Sequence, residues 1–398
     1  MTHVKVTGRL PNDAARQGAI GETAAQPRST QVIDAIIERL GEIGAITAAG
    51  AAIGVLFGFF AQRSRFCLRA AVIEFVRNTH EGKLTIWLFA FAAAVFLTQL
   101  FVVLGWLDVS TARQLAARGS VSGAAVGGAL FGIGMILARG CASRLLVLAA
   151  QGNLRALLSG LVFAVTAQAA LSGVLSPLRL AISGWWTVEG GTARDLIATT
   201  GIGHIGGVVF GAAWLLAAFV WAHRQRVPAW RRIGATAVGA MVALTWLATY
   251  QVSRHAFDVI PIQSLSFTGP SSDVLMLVLS PPGQPLKFDL GLVPGVFLGS
   301  FIAAALFGEL KLEGFQGGQS MRRYIVGALL MGFGGMLAGG CAVGAGLSGA
   351  AVFTVTAWVT LSTMWAGAAL TDALVDRRAE GSSTTAQPTP AAASYASP

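Results

Sequence analysis

Apolar stretches of about 20 residues recur along this chain, separated by short polar loops rich in arginine. Each is long enough to cross a hydrocarbon core roughly 30 Å thick as a helix. Nine such segments can be read, at 42–60, 84–107, 121–139, 153–175, 201–222, 232–250, 290–308, 323–339 and 353–375. Three shorter apolar pieces, 66–76, 142–150 and 341–351, cannot cross, and each contains or directly follows a cysteine. These are expected as re-entrant or half-length helices. The pattern predicts an all-α membrane protein with a membrane domain over 42–375, in repeat-like halves at about 42–222 and 232–375. Residues 1–30 and 379–398, rich in Ala, Ser, Thr, Gln and Pro, read as disordered tails, the second reaching back to 376. Between the first tail and the first span, Val32, Ile36 and Ile37 share one helical face, which predicts a short interfacial helix over 31–41.

Composition agrees with the pattern. The chain is 54% apolar and 12% charged, where soluble domains carry about 25% charge. Residues 1–30 are polar and mixed, with no cleavable signal peptide visible, so the first span is expected to remain. The net charge of +10 is not a nucleic-acid signal, because the basic residues sit in loops where they fix orientation. They would also attract a small anion. Residues 223–232 hold four arginines, and 311–323 hold Lys311, Arg322 and Arg323; both loops read as cytoplasmic. The 251–289 loop has only Arg254 and Lys287 and reads as external. Nine spans then place the N-terminus outside and the C-terminus inside, beside Arg377 and Arg378.

Only three cysteines occur, each at a glycine- or arginine-rich break: Cys67 in AQRSRFCLRA, Cys141 in GIGMILARGCASRLL and Cys341 in GFGGMLAGGCAVGAGLSG. Irregular backbone at membrane depth is tolerated where it is buried in protein or lines a cavity. Gly339, Gly340 and Cys341, and likewise Gly140 and Cys141, suit a helix end with the cysteine opening the next short helix. Such an N-terminus carries free N–H groups and binds anions. One buried cysteine alone reads as a small hydrophobe; three at three breaks, with none elsewhere, point to a path for a soft, sulfur-like solute. Arg139 and Arg144 flank Cys141 and are candidates for anion attraction, whereas Arg63 and Arg65 read as anchors. Cys341 has no arginine nearby and relies on backbone and Ser348.

The Cys141 and Cys341 segments match each other 200 residues apart. Gly132 and Gly134 correspond to Gly332 and Gly334, and Gly140-Cys141-Ala142 to Gly340-Cys341-Ala342. With the orientation above, the two copies are inverted in the membrane, a transporter signature. Gly-x-x-x-Gly pairs such as Gly54/Gly58 and Gly295/Gly299 read mainly as ordinary helix packing. Closely spaced Cys/His metal ligands, C-x-x-C and Walker A motifs are all lacking, so the sequence implies no cofactor, metal or ATP hydrolysis. Glu74, Glu309 and Asp372 read as solvated or capping carboxylates.

At RSRFC (63–67), ARGCASRLLVLAAQGN (138–153) and GFGGMLAGGCAVGAGLSG (332–349) the chain resembles the YeeE/YedE family of bacterial inner-membrane sulfur transporters. The resemblance runs from about residue 45 to 375. It implies an hourglass-shaped bundle, thiosulfate as solute, and Cys67, Cys141 and Cys341 as the cysteines lining the route. It also implies a small TusA-like sulfurtransferase as partner on the cytoplasmic side. The expected function is import of thiosulfate or a related sulfur anion, held near Cys141 and handed past Cys341 to Cys67. Selenium-related transport, a general small-anion channel and a membrane sulfurtransferase remain as alternatives, the last disfavoured because no base or partner thiol neighbours any cysteine in sequence.

Overall fold

The computed structural model describes residues 28–315 and 317–377. The expected tails fall almost wholly outside these residues. The chain forms α1 (Arg28–Ser64), α2 (Leu68–Arg77), α3 (Lys83–Val103), α4 (Arg113–Ala116), α5 (Val121–Leu137), α6 (Ala142–Ala150), α7 (Leu154–Ser172) and α8 (Ser176–Gly184). It continues with α9 (Leu196–Thr200), α10 (Gly203–Arg224), α11 (Ala229–His255), α12 (Thr268–Leu279), α13 (Phe288–Leu306), α14 (Gly318–Ala338) and α15 (Val355–Thr371). The one sheet among the described residues is a two-residue antiparallel pair, Gly119–Ser120 with Thr187–Val188. The helix begins at Arg28 and is interrupted at Gly41 (φ 72°, ψ 165°), which separates the expected interfacial segment from the span. The side chains of Val32, Ile36 and Ile37 lie outside the described set.

Among the described residues, seven stretches are long and apolar enough to cross a membrane: Glu38–Arg77, Lys83–Val103, Val121–Ala150, Leu154–Ser172, Gly203–Arg224, Ala229–His255 and Phe288–Leu306. The other two expected spans are helical but fall short by that measure. α15 has only 17 residues, because the chain turns at Phe353 (φ 53°) before it begins. α14 spends its first turns on the polar Gly318–Arg323.

Two glycine-mediated pairings organise the bundle. In the first, α1 and α13 run parallel with mutually exposed backbones. A Cβ on Gly50, Gly54 or Gly58 would meet the carbonyls of Phe288, Leu292 or Val296. A Cβ on Gly291, Gly295 or Gly299 would meet those of Thr47, Ala51 or Val55, all within 2.5 Å. Small residues let helices approach this closely in lipid.

The second pairing carries the repeat. Gly127 packs on Gly334 and Gly134 on Gly327, so α5 and α14 are antiparallel. In the 200-residue register, Gly127 corresponds to Gly327 and Gly134 to Gly334. Exchanging the two copies therefore turns the Gly127–Gly334 contact into the Gly327–Gly134 contact, as a two-fold axis requires. The following helices obey the same exchange. α5 packs along α15, with Gly132 against Met364 and Ala368. α14 packs along α7, with Gly332 against Phe163 and Ala167.

One end of the bundle collects the basic loops. Arg77 and Arg377 both meet the fully buried Asp372, and Arg69 and Arg323 meet Asp376. The Gln151 carbonyl accepts from the Lys311 N–H at 3.0 Å. Glu74, buried, caps α3 by accepting from the N–H groups of Gly82, Lys83 and Leu84.

Candidate functional site

Each cysteine stands in the same backbone turn. A long helix ends in a left-handed residue, one residue intervenes, and the cysteine then opens a short segment. The left-handed residues are Arg65 (φ 55°), Arg139 (φ 56°) and Gly339 (φ 77°). Their N–H groups donate three residues back, to the carbonyls of Gln62, Ile136 and Met336. The next N–H donates five back: Phe66 to Ala61, Gly140 to Met135, Gly340 to Gly335. This is a Schellman closure. Each cysteine carbonyl then accepts from the N–H four residues on, from Ala71 (3.2 Å), Leu145 (2.9 Å) and Ala345 (2.8 Å). Cys67 opens α2 and Cys141 opens α6; Cys341 leads into a wide π-helical turn, Gly344–Gly349.

The turn makes local demands. A non-glycine residue in the left-handed region costs roughly 1–2 kcal/mol, so Arg65 and Arg139 stand there against backbone preference. Gly339→Ala is expected to lower thermal stability by about 1 kcal/mol, and Arg139→Gly to leave it unchanged or raise it; thermal unfolding in detergent checks both. Gly340 has a different reason to be glycine, since a Cβ there would lie 3.0 Å from the Ala345 nitrogen.

Antiparallel pairing places the breaks after α5 and α14 at opposite ends of that helix pair. Cys141, only 1% exposed, lies near Cys67, close enough for the two thiols to act on each other, and its sulfur is 3.5 Å from the Ser143 hydroxyl. Cys341, also buried, is elsewhere, and its sulfur accepts from the backbone N–H of Phe267 (3.3 Å) and of Gly344 (3.4 Å). Ser348 donates to the Leu265 carbonyl at 2.7 Å and so ties down the irregular 260–267 segment. Cys341 thus stands apart from Cys141, whereas Cys67 and Cys141, 74 residues apart in sequence, are brought near each other by the fold. Diamide, a two-electron oxidant, is expected to join them and leave Cys341 alkylatable, which peptide mapping after alkylation checks.

The Cys67–Cys141 pair is set among arginines. Arg144 and Arg69 both lie close enough to act electrostatically on the Cys67 sulfur. Arg144 lines a cavity of about 320 Å³ with Arg65, Lys311, Gln62, Gln151, Glu309 and Glu313. Arg69 and the exposed Arg139 line another of about 540 Å³, with Arg77, Lys83 and Arg323 balanced partly by Glu74, Glu81 and Asp376. Arg63 is held by Glu309 (3.4 Å) and lies over the Phe307 ring.

Residues outside the sequence-derived set complete the site. Gln62, buried at the end of α1, accepts from Arg144 at 3.4 Å and from Gln151, and donates to Glu309 at 2.6 Å. Phe267 carries the N–H that meets Cys341, and its ring packs on Phe57 at 5.4 Å. A buried glutamine at the end of a span was a readable signal for the first; nothing local marked the second.

Fold and site together define a multi-pass helical membrane protein with inverted, broken-helix repeats, the architecture of secondary transporters. The model of the Sulphur transport family matches residues 63–370, and the chain belongs to that family. It is similar to the thiosulfate transporter TsuA of Spirochaeta thermophila, 26% identical over 322 residues that cover 78% of this chain and 93% of the relative. It is similar also to the thiosulfate transporter TsuA of Escherichia coli, 26% identical over 343 residues, covering 80% and 92%.

Proposed function

We propose that the chain imports thiosulfate or a closely related sulfur anion across the bacterial inner membrane. The observation that carries this reading is the recurrence of one turn at three sites, each presenting a sulfur at the start of a short segment. A helix N-terminus offers N–H donors and a partial positive charge, while a thiol adds a weak S–H donor suited to a polarizable sulfur. The positive-inside rule puts the basic end in the cytoplasm, with the N-terminus outside and the C-terminus inside. The anion then meets Cys341 first and passes to Cys141 and Cys67, where Arg144 and Arg69 attract it; Gly140, Gly339 and Gly340 keep the turns open. A TusA-like sulfurtransferase at the basic end is the expected acceptor.

The contact between Cys67 and Cys141 favours one second reading, a sulfurtransferase. A Cys67 thiolate would attack the outer sulfur of thiosulfate, sulfite would leave, and a persulfide would form. Uptake of ³⁵S-thiosulfate by cells lacking their own importers tests the first reading, with sulfate as competitor. Uptake that exceeds the empty-vector control and resists excess sulfate supports import; equal uptake of sulfate indicates a general anion channel. A stable mass gain of one sulfur on a cysteine without net uptake indicates the enzyme.

A further inference from the structure

On the outer face of α10, at the basic end, lies a groove of about 960 Å³ outside the cysteine site. Its long wall is the stripe Ala213, Leu216, Ala217, Val220 and Trp221, and its closed end is formed by His80, Arg224, Gln225 and Arg226. The wall faces outward: Leu216 is 66% and Val220 47% exposed. Because α10 is apolar enough to span, that wall meets lipid acyl chains. Trp221 and Trp230, both exposed, mark the level of the bilayer–water interface. The three titratable side chains lining the groove are all basic, with no carboxylate among them. Neither Arg224 nor Arg226 meets a carboxylate among the described residues. The turn that presents them is fixed by Arg226 itself, at φ 52°.

We propose that this groove binds one anionic diacyl phospholipid, with an acyl chain along the α10 stripe and its phosphate between Arg224, Arg226 and His80. Wall and mouth match such a lipid in charge and in depth. An apolar wall ends, at headgroup height, in two guanidiniums that meet no carboxylate among the described residues. Basic pockets of this kind on the cytoplasmic side of membrane helices recognise anionic headgroups, and a guanidinium matches phosphate with paired N–H donors. A zwitterionic lipid would bring a quaternary ammonium against the same two arginines.

Native mass spectrometry of the full chain in mild detergent, with dioleoyl phosphatidylglycerol as probe, tests the proposal. Phosphatidylglycerol is expected to be retained and dioleoyl phosphatidylcholine not, and free glycerol 3-phosphate is expected to leave the bound lipid in place. The double variant Arg224→Gln/Arg226→Gln is expected to lower phosphatidylglycerol occupancy at least about tenfold. Ala217→Trp, which fills the acyl wall but keeps both arginines, is expected to lower it as well. Both changes are at exposed positions, and an unchanged gel-filtration profile verifies folding. Equal retention of the two lipids, wild-type occupancy in either variant, displacement by glycerol 3-phosphate, or a dimer mass with no lipid bound would each overturn the proposal.

Discussion

Replacing Cys141 by alanine is expected to reduce the initial rate of thiosulfate uptake at least tenfold while leaving the protein folded. The side chain is small and buried, and its loss removes one sulfur from a wall that Leu145, Ala142 and the closing turn still define. The turn itself uses backbone groups of residues 135–145 and needs no thiol. The effect therefore falls on the solute. A hydrogen bond to a charged group is worth about 1.5–3 kcal/mol, and about 1.4 kcal/mol corresponds to tenfold. Contact with Cys67 adds a second expectation. Two groups that share one function couple strongly, so Cys67→Ala/Cys141→Ala should lose little more than either single change. Cys341→Ala acts at a separate place and should lower the rate by itself. Wild-type uptake by Cys141→Ala would reduce the Cys141 sulfur to packing.

The sequence made the helices legible and much of the site. Apolar length gave the spans to within a few residues, and the breaks after α5 and α14 stood out because Gly140, Gly339 and Gly340 are poor helix formers. The third break was half hidden. Arg65 and Phe66 occupy the positions that Arg139/Gly140 and Gly339/Gly340 fill, and neither residue type announces a left-handed turn, so the shared closure at Cys67 shows only in the backbone geometry. Register was legible in the 200-residue match, but contact was not. Nothing local says that Cys141 lies beside Cys67 rather than Cys341; that follows from antiparallel packing of α5 on α14. The 251–289 stretch read as a loop. Part of it folds as α12, and the segment before that helix reaches Cys341 through the Phe267 N–H.

The same packing yields the largest expected effect on stability. Valine at Gly127, Gly134, Gly327 or Gly334 is expected to cost about 2 kcal/mol or more in each case, with a lower melting temperature and poorer recovery of monodisperse protein. A Cβ at any of the four would sit 2.5–2.7 Å from backbone atoms of the facing helix. Backbone cannot rotate aside as a side chain can, so α5 and α14 must separate, and the turns carrying Cys141 and Cys341 move with them. In lipid no hydrophobic gain offsets the separation, because apolar side chains are equally well solvated by acyl chains. Gly160→Val in α7, where a Cβ meets nothing within 4 Å, is the control and should be near neutral. Two-fold pairing sharpens the expectation. Gly127 faces Gly334 and Gly134 faces Gly327, so a change and its 200-residue counterpart strike opposite halves of one interface and should cost nearly the same. Unequal costs, with Gly127→Val severe and Gly327→Val silent, would mean that α5 and α14 do not meet about a two-fold axis and that the repeat in the sequence is not an inverted pair in the fold.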